Sequence, residues 1–492
     1  MYRSVVDAVY RNSKISPHKL AVADKEKAYT YAQLIEEINH VAGYLEKMSI
    51  GKGETVLVEC TQDANFLVLD MACQLLGVIF VPIEKKAVTE RIADIYKETN
   101  AICIIGEKDF SKVGKFYFVR EIMQVCGDCS VDVEAYIADN TSSMAEILFT
   151  TGTTGQPKGI VISHAANVAI GENISYGVEM TANTVELVPM PLSHSHGLRT
   201  CYANFLTGSA VVIIDGVMNV SLFFELIDKY DVNALDISPT LAKLLLKIAR
   251  KGLIKCSDSI DYIEIGTAVL EDDTKMQLKS IFRNTRLYNF YGSTEAGRSC
   301  VLDFNLYDET GCIGYPSKNS TFYIVDEERR AIQSSKDNPG LIAVSGKMMM
   351  EGYLNSEALT KQTVVNGILY TTDLGYVDEL GRIYVIGRAD DIINYKGIKI
   401  SPEEIENVAG KYQGILDCAC VPAEDAVCGQ VPKLFIKVSS NDFDERLFWD
   451  YLKANLEQSR VPVSIKIIDL IPRSSNGKLQ RKKLRGTDDK RL

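Results

Sequence analysis

The sequence predicts an α/β fold, with a large N-terminal domain of βαβ-type sheets and helices and a small α+β C-terminal domain on a hinge. In the first part of the chain, short apolar runs typical of buried strands alternate with segments of helical spacing. Such alternation favours βαβ units with a parallel sheet. A polar junction at Gly387–Asp391 is followed by a clear helix start and several strand-like runs. We therefore expect an N-terminal domain over residues 1–388 and a C-terminal domain over residues 389–492.

Apolar runs and helical spacing place several elements of the N-terminal domain. The predicted strands are Thr55–Cys60, Val78–Pro82, Ala101–Ile105 and Ala210–Ile214. The predicted helices are Asn65–Gly77 and Leu222–Tyr230. These elements are the parts from which the expected βαβ units would be built.

The C-terminal domain is expected to begin with a capped helix. Ser401 is the predicted N-cap, Pro402 takes the first helical position, and Glu404 would complete a capping box. The elements predicted after it are a strand at Asp417–Val421, a strand at Lys433–Val438, an amphipathic helix at Glu445–Leu456 and a strand at Ser464–Asp469. A domain of about 100 residues is large enough to fold alone.

Composition and charge exclude several classes of protein. The chain has 492 residues, 46% of them hydrophobic, and a formal net charge of −11, which argues against a nucleic-acid partner bound through its phosphates. No apolar stretch has the roughly 18 residues of a membrane span, and the start lacks a signal-peptide core. Among the 12 cysteines, Cys126 and Cys129 form a C-x-x-C without a second pair, which favours free thiols in a reducing compartment. We expect a cytoplasmic protein.

The most informative segment is a loop of hydroxyls, glycines and one lysine, Thr150–Ile160, which follows the strand-like run Ala145–Phe149. Glycines let backbone N–H groups approach an anion, and threonine and lysine add donors and charge, so the segment is suited to phosphate. It is not a Walker P-loop, because Pro157 and Ile160 stand where that motif requires its second glycine. We expect nucleotide binding by another architecture.

Three further segments carry polar groups that have both a functional and a structural interpretation. His194 and His196 in Met190–Leu198 would face the same way in a strand, and such a pair is often a hydrogen-bonded core feature. Glu295, beside hydroxyls and glycine, suits Mg²⁺ held with nucleotide phosphates, or it is an exposed turn residue. Asp373, expected in a turn, could accept hydrogen bonds from a ribose diol or close an Asx-turn.

With the segments Gly387–Glu406 and Pro472–Lys478, these motifs resemble, in their order and spacing, the adenylate-forming superfamily of acyl-CoA synthetases, nonribosomal-peptide adenylation domains and firefly-type luciferases. The resemblance begins at Tyr29–Leu34, which is similar to an early motif of that superfamily, and runs to Lys478. Members activate a carboxylic acid with ATP to an acyl-adenylate and pyrophosphate, after which a pantetheine thiol takes the acyl group and AMP leaves.

The resemblance implies the cofactors ATP, Mg²⁺ and CoA, or the phosphopantetheine of a carrier protein, and it implies a role for each matching residue. The β- and γ-phosphates would be bound by Thr151, Gly152, Thr153, Thr154, Gly155 and Lys158. Thr294 would contact the α-phosphate and Glu295 would bind Mg²⁺. Asp373 would hold the ribose hydroxyls with Arg388 nearby. The adenine and acyl sites would be lined by Tyr291, Gly292, His194, Gly266, Thr267 and Phe290.

The resemblance also implies that Lys478 bridges the substrate carboxylate and the α-phosphate. Attack of one anion on another needs a cation at the pentavalent phosphorus, and a positioned ammonium supplies it. Asp390 would be the hinge about which the C-terminal domain rotates between two poses, one for each half-reaction. Rotation would withdraw Lys478 and bring Lys396 and Gly397 to the border of the pantetheine tunnel.

Two departures from the superfamily pattern concern the nucleotide and acyl sites. Thr372 stands where the Tyr-x-Thr-Gly-Asp motif has glycine, so we expect altered dihedrals in that turn. Ile265–Leu270 lacks the second glycine and the proline of the usual Gly-Gly-Ala-Pro-Leu, which changes the expected pocket shape.

The identity of the acid and of the thiol is less constrained. Leu192–His196 has no carboxylate to pair an α-ammonium, so we expect an aliphatic or aryl acid and CoA as the acceptor. The alternative is a stand-alone adenylation enzyme that loads an amino acid or unusual acid onto a separate carrier protein. A catalytically silent homologue is a third interpretation, against which the retention of the catalytic residue types argues.

Overall fold

The computed structural model describes residues 2–139, 144–151, 157–396, 398–425, 427–440, 443–473 and 479–485. Several predicted site residues lie outside these ranges, namely Gly152, Thr153, Thr154, Gly155, Gly397 and Lys478. The chain divides into two compact units: a large unit of residues 1–308, 313–322 and 344–369, and a small unit of residues 309–312, 323–343 and 370–492. The predicted α/β class is confirmed. The boundary placed at residue 388 stays a prediction.

Helices and strands alternate through most of the chain before residue 214. In order they are α1 (Val5–Ile15), β1 (Leu20–Ala23), β2 (Ala28–Thr30), α2 (Tyr31–Lys47), β3 (Thr55–Glu59), α3 (Ala64–Leu76), β4 (Ile79–Ile83), α4 (Thr89–Glu98), β5 (Cys103–Gly106), β6 (Phe116–Phe118), α5 (Val119–Val125), α6 (Val133–Asp139), β7 (Met144–Thr151), β8 (Pro157–Ser163), α7 (His164–Gly177), β9 (Val185–Val188), α8 (Ser195–Thr207) and β10 (Ala210–Ile213).

After residue 214 the alternation continues to α12 and then gives way to strands. The elements are α9 (Val220–Tyr230), β11 (Ala234–Ile237), α10 (Pro239–Ile248), α11 (Arg250–Cys256), β12 (Tyr262–Ile265), α12 (Asp272–Ile281), β13 (Arg286–Ser293), β14 (Gly297–Asp303), β15 (Cys312–Pro316), β16 (Ser320–Val325), β17 (Gly340–Gly346), β18 (Gly352–Tyr353), α13 (Glu357–Thr363), β19 (Val364–Val365), β20 (Ile368–Val377), β21 (Ile383–Arg388), β22 (Ile393–Tyr395), β23 (Ile398–Ile400), α14 (Pro402–Ala409), β24 (Ile415–Asp425), β25 (Gly429–Val438), α15 (Glu445–Asn455) and β26 (Ser464–Ile467).

One sheet of the large unit has the strand order β18-β8-β7-β4-β3-β5-β6. Strands β3, β4, β5 and β6 pair in parallel, as the predicted βαβ units require. Helix α3 connects β3 to β4 and begins where the Asp63 carboxylate accepts the N–H of Phe66. It ends at Gly77, which has a left-handed φ of 70°. Two apolar clusters bury both faces of these strands, so their continuous apolar character is explained.

A second run of strands in the large unit follows the order β14-β13-β12-β11-β9-β10-β1-β2. Strands β9, β11, β12 and β13 are parallel neighbours, so their carboxyl ends lie on one edge of the sheet. The chain leaves β9 toward His194, leaves β12 at Gly266, and carries Phe290 and Tyr291 near the end of β13. Ligands of open α/β sheets bind at this edge, which is where the fold brings the predicted acyl-site residues.

The small unit contains the antiparallel pair β20–β21 and a mixed sheet of order β23-β22-β25-β24, in which β26 pairs with β25. Helices α14 and α15 cover this sheet through a core that includes Ile405, Leu434 and Phe448. The helix predicted from Ser401 and Pro402 is present, but the predicted capping box is wrong. The Ser401 hydroxyl instead donates to Glu403 Oε2 at 2.8 Å and makes no capping bond to the helix backbone.

Among the described residues, no helix has both the length and the apolar character that crossing a membrane requires.

Candidate active site

The base of the predicted phosphate loop is an antiparallel hairpin of β7 and β8. Thr150 pairs with Lys158, and the backbone of Thr151 pairs with that of Pro157. The rest of the loop, Gly152–Gln156, lies outside the described residues. The Lys158 ammonium sits over the ring of Tyr353, 5.4 Å from its centroid, because β18 pairs with β8 and places Tyr353 opposite Ile160.

Tyr353 connects Lys158 to the predicted magnesium ligand. Its hydroxyl donates to Glu295 Oε1 at 3.1 Å, and the backbone carbonyl of Glu295 accepts the N–H of Met350 at 2.9 Å. Burial, followed by the charge of Glu295, raises the pKa of Tyr353, so this hydroxyl remains a donor. Sequence reasoning missed Tyr353, which lies 58 residues from Glu295. Only the strand pairing brings the two together.

The turn that carries Thr294 and Glu295 depends on a glycine. A Cβ at Gly292 would lie 1.9 Å from the carbonyl oxygen of Gly297, across a bulge in the β13–β14 pairing. Beside it, the ring of Tyr291 lies 6.3 Å from that of Phe322. The turn therefore presents a half-buried carboxylate and a threonine hydroxyl next to backbone without a side chain, an arrangement that fits phosphate and a divalent cation.

The two predicted histidines do not lie in a strand. His194 is the N-cap of α8 and His196 is in the first turn of that helix, so they face different partners. His194 Nε2 lies 3.6 Å from Oε1 of Glu84, which follows β4. Burial lowers the pKa of His194, and the Glu84 carboxylate opposes that shift. His196 Nε2 lies 2.6 Å from Asp236 Oδ1.

His196 is the end of a buried polar network, the "α8 network", which comprises His196, Thr200, Asp236, Glu264 and Arg298. Thr200 Oγ1 lies 2.9 Å from Asp236 Oδ2 and accepts from Arg298 Nη2 at 2.6 Å. Arg298 also pairs with Glu264, whose pKa is raised by burial against the opposing charge of Arg298. Sequence reasoning missed Asp236, Glu264 and Arg298, because single charged residues within strands form no motif.

Gly266, which is predicted to line the acyl site, lies against this network. A Cβ at Gly266 would lie 2.5 Å from Cε1 of His196, so only glycine leaves room for the imidazole there. The next residue, Thr267, has φ of 80°, a left-handed value that is strained for a β-branched side chain. The Arg298 guanidinium lies 5.1 Å from the centroid of the Phe290 ring. The departure from the Gly-Gly pattern therefore places strain at Thr267.

The predicted ribose-binding residues lie on β20 and β21 of the small unit. Asp373 is paired with Arg388 across the two strands, with 3.8 Å between Oδ1 and Nε, so the expected turn is wrong. Thr372 Oγ1 accepts from Arg388 Nε at 3.1 Å. Thr372, which replaces the usual glycine, thus accepts a hydrogen bond from Arg388. The φ angle of Thr372 is not in the left-handed region. A part-exposed carboxylate beside a guanidinium fits a ribose diol.

The predicted hinge residue Asp390 follows β21. Its carbonyl accepts from Arg485, which also bonds Asp391 Oδ1 at 2.7 Å. Arg481 bonds Glu406 Oε2 at 2.7 Å and also lies 3.5 Å from Asp391 Oδ2, so it belongs to the same group of charges. Lys396 is exposed, has φ of 48° and lies 5.4 Å from the centroid of the Tyr395 ring. Lys478 and Gly397 lie outside the described residues.

Comparison with known families places the chain. The AMP-binding enzyme family matches residues 9–354, and the AMP-binding enzyme C-terminal domain matches residues 404–478. The chain therefore belongs to the AMP-binding enzyme family, as its motifs predict.

Individual relatives agree with this assignment. The chain is 26% identical over 487 residues to 4-coumarate:CoA ligase 1 of Petunia hybrida, a match that covers 93% of this chain and 88% of the relative. The fold of this chain is that of ATP-bound MatB from Rhodopseudomonas palustris, with a TM-score of 0.88. The two sequences are 20% identical, and the match covers 99% of this chain and 98% of MatB. The structure of o-succinylbenzoate CoA synthetase from Bacillus subtilis, in complex with its acyl-adenylate intermediate, has a TM-score of 0.86 to this chain. The two sequences are 23% identical, and the match covers 99% of each chain. The predicted enzyme class, an AMP-forming acid–thiol ligase, is confirmed.

Proposed function

We propose that this enzyme uses ATP and Mg²⁺ to convert a carboxylic acid into an acyl-adenylate, and that it then transfers the acyl group to the thiol of CoA. The observation that carries the proposal is the Lys158–Tyr353–Glu295 arrangement. It holds an ammonium over the ring of Tyr353 and a carboxylate at its hydroxyl, so both the cation for a triphosphate and the ligand for its metal ion are near one side chain. The CoA ligases among the relatives support CoA as the acceptor.

The phosphate end of the site works by positioning charge. Lys158, with Thr151, Gly152, Thr153, Thr154 and Gly155, binds the β- and γ-phosphates as the leaving pyrophosphate, so that attack falls on the α-phosphate. Glu295, oriented by Tyr353, would hold the Mg²⁺, and Thr294 contacts the α-phosphate. Bound Mg²⁺ supplies neutralisation of the phosphate charge. Tyr291 and Gly292 line the adenine and acyl sites.

Three further residues have proposed roles in the reaction. Asp373 accepts from the ribose hydroxyls, with Arg388 held beside it by Thr372. Lys478 supplies the cation that lets the substrate carboxylate attack the α-phosphate. We assign residues 389–492 to a C-terminal domain that turns about Asp390 between the half-reactions. That rotation exchanges Lys478 for Lys396 and Gly397.

The acid is expected to lack an α-ammonium. An α-ammonium needs a carboxylate free to pair with it. Around the acyl-site residues, Glu84 is engaged by His194, and Asp236 by His196 and Thr200. Gly266, Thr267 and Phe290 form the remaining boundary. This arrangement favours an aliphatic or aryl acid over an amino acid.

Separate assays of the two half-reactions test the proposal. ATP–pyrophosphate exchange over a panel of acids reports adenylation, and thioester formation is then compared between CoA and a pantetheinylated carrier protein. We expect exchange with acids that lack an α-ammonium and thioester formation with CoA. Exchange with amino acids alone, or transfer only to the carrier, would instead support the carrier-loading alternative. No AMP release with any acid would contradict the proposal.

Variants of Lys478 and Asp390 test whether each half-reaction uses its own pose of the C-terminal domain. Lys478→Ala should lower adenylation by about 10²–10³-fold and leave thioester formation from a supplied acyl-adenylate unchanged, because the lysine acts in one step only. Lys483→Ala, an exposed neighbour, is the matched control. Asp390→Pro should have the opposite effect by restricting the hinge. Equal loss of both steps in Lys478→Ala would refute the two-pose mechanism.

A further inference from the structure

We propose that Tyr353 is a positioning residue whose hydroxyl and ring have separate tasks. The hydroxyl orients the Glu295 carboxylate toward Mg²⁺, and the ring holds the Lys158 ammonium toward the phosphates. The inference rests on the proposed function, which assigns Glu295 to the metal ion and Lys158 to the β- and γ-phosphates. It goes further because it assigns the metal dependence of nucleotide binding to one hydroxyl group that lies outside the predicted site residues.

The position of Tyr353 is fixed by the backbone around it. Its N–H donates to the hydroxyl of Thr360 at 2.9 Å. The next residue, Leu354, donates its N–H to the carbonyl of Gly159 at 2.8 Å. Strand β18 therefore holds Tyr353 beside β8, the strand that carries Lys158. A side chain anchored in this way can orient its neighbours, because its own conformational freedom is already restricted.

The Tyr353 hydroxyl is held from one side and directs its proton to the other. The Thr363 side chain hydrogen-bonds this hydroxyl and is the contact that lowers its pKa, so Thr363 acts as the donor. The Tyr353 hydroxyl in turn donates to Glu295 Oε1 at 3.1 Å, and the Met350 N–H donates to the Glu295 carbonyl at 2.9 Å. Among the described residues, the structure gives Glu295 Oε2 no partner. One carboxylate oxygen is thus fixed and the other is left for a cation, as hydrogen-bond partners of metal ligands commonly arrange.

The ring of Tyr353 makes a different contact. The Lys158 ammonium lies 5.4 Å from the ring centroid, within the range of a cation–π interaction. This attraction leaves the positive charge of the lysine in place, so its N–H groups can still bind phosphate oxygens. Phenylalanine at position 353 would keep the ring and lose the hydroxyl, whereas leucine would lose both. The two tasks can therefore be removed one at a time.

Binding of a non-hydrolysable ATP analogue tests the two tasks separately. Its Kd is measured by isothermal titration calorimetry in EDTA and in excess Mg²⁺, and the ratio of the first value to the second reports the metal-dependent part of binding. Tyr353→Phe should lower that ratio by about tenfold, the loss typical for removing the hydrogen-bond partner of a metal ligand, and leave the Kd in EDTA unchanged. Tyr353→Leu should lower the ratio and also weaken binding in EDTA, because Lys158 loses the ring. Tyr176→Phe is the matched control, since this exposed tyrosine also lies under a lysine, Lys318, at 5.9 Å, and neither value should change.

A second background separates positioning from a structural role. In Glu295→Ala, adding Tyr353→Phe should lower the ratio no further, because the hydroxyl acts through that carboxylate. An unchanged ratio in Tyr353→Phe, a further drop in the Glu295→Ala background, or an equal loss of affinity with and without Mg²⁺ would overturn the inference alone. These results do not depend on turnover, since neither an acid nor a thiol is present. A wild type that binds the analogue in neither condition would overturn the proposed function as well.

Discussion

Helix α8 separates two buried groups of charges that differ in what they reach. On one face, Thr200 lies one helical turn after His196 in the α8 network. On the other face, Arg199 pairs with Glu146, and the Tyr202 hydroxyl lies 2.7 Å from Asp70 Oδ2. We call the latter the "sealed network", comprising Asp70, Gln74, Glu146, Arg199 and Tyr202. A helix presents residues three to four apart on one face, so a single helix can serve both.

The difference lies in exposure. Every side chain of the sealed network is buried. None of the hydrogen-bond partners that the structure describes for this network is a predicted site residue. In the α8 network, the His196 side chain is 10% exposed, and its ring lies against Gly266. Burial of charge alone therefore does not indicate a binding site. What distinguishes the α8 network is one member, His196, that is connected to the buried charges and also lies next to a predicted acyl-site residue.

The largest expected effect is on the sealed network. Arg199→Met should lower the free energy of unfolding by about 3–5 kcal/mol, because it leaves the Glu146 carboxylate buried without its partner. Urea unfolding measures the loss. Lys361→Met, which breaks an exposed pair with Glu357, is the matched control and should cost less than about 1 kcal/mol. A similar loss in both variants would contradict the distinction between a buried and an exposed pair.

A pH series sharpens the comparison. Burial, followed by the charge of Glu146, raises the pKa of Asp70 to about 7, against about 3.9 in an unfolded chain. The native state therefore holds the proton more tightly, so the stability from Asp70 is present below about pH 4 and is lost as pH rises to about 7. The free energy of unfolding of Asp70→Asn, relative to that of the wild type, should therefore be higher at pH 8 than at pH 5. Urea unfolding of both proteins at both pH values measures this difference. Parallel pH profiles for the two proteins would refute this account.

Backbone strain at Thr267, at the edge of the α8 network, should be measurable. Thr267→Gly should raise the free energy of unfolding by about 1 kcal/mol, because glycine adopts φ of 80° without a steric penalty. Ala268→Gly, at a position without left-handed φ, should lower it by about 0.5–1 kcal/mol. Thermal unfolding of both variants gives the comparison. Destabilisation by Thr267→Gly of the same size as by Ala268→Gly would show that Thr267 is not strained.

The smallest expected effect concerns Glu84. Its pair with His194 is partly exposed, so Glu84→Gln should change the free energy of unfolding by less than about 1 kcal/mol. The carboxylate opposes the lowering of the His194 pKa by burial, so its removal should lower that pKa further. An NMR titration of the His194 ring measures the shift, with Glu90→Gln as the control. An unchanged titration would mean that the 3.6 Å contact carries no electrostatic coupling.

The sequence predicted what local patterns determine. Apolar runs located strands such as β3 and β10 within a few residues, and the motif order identified the family. It did not predict contacts made by strand pairing, such as Tyr353 with Glu295, since no short-range pattern encodes them. It was wrong where a side chain had a competing partner, as when Ser401 donates to Glu403. The turn predicted at Asp373 was also wrong, because this residue lies in extended backbone where β20 pairs with β21.

The most direct test of the account is a crystal structure with a non-hydrolysable acyl-adenylate analogue. The account predicts that the acyl group lies beside Gly266 and Phe290, next to the α8 network, and that no ligand atom lies within about 4 Å of Arg199 in the sealed network. An acyl group that lies away from Gly266 and Phe290, or one that contacts Arg199, would contradict it.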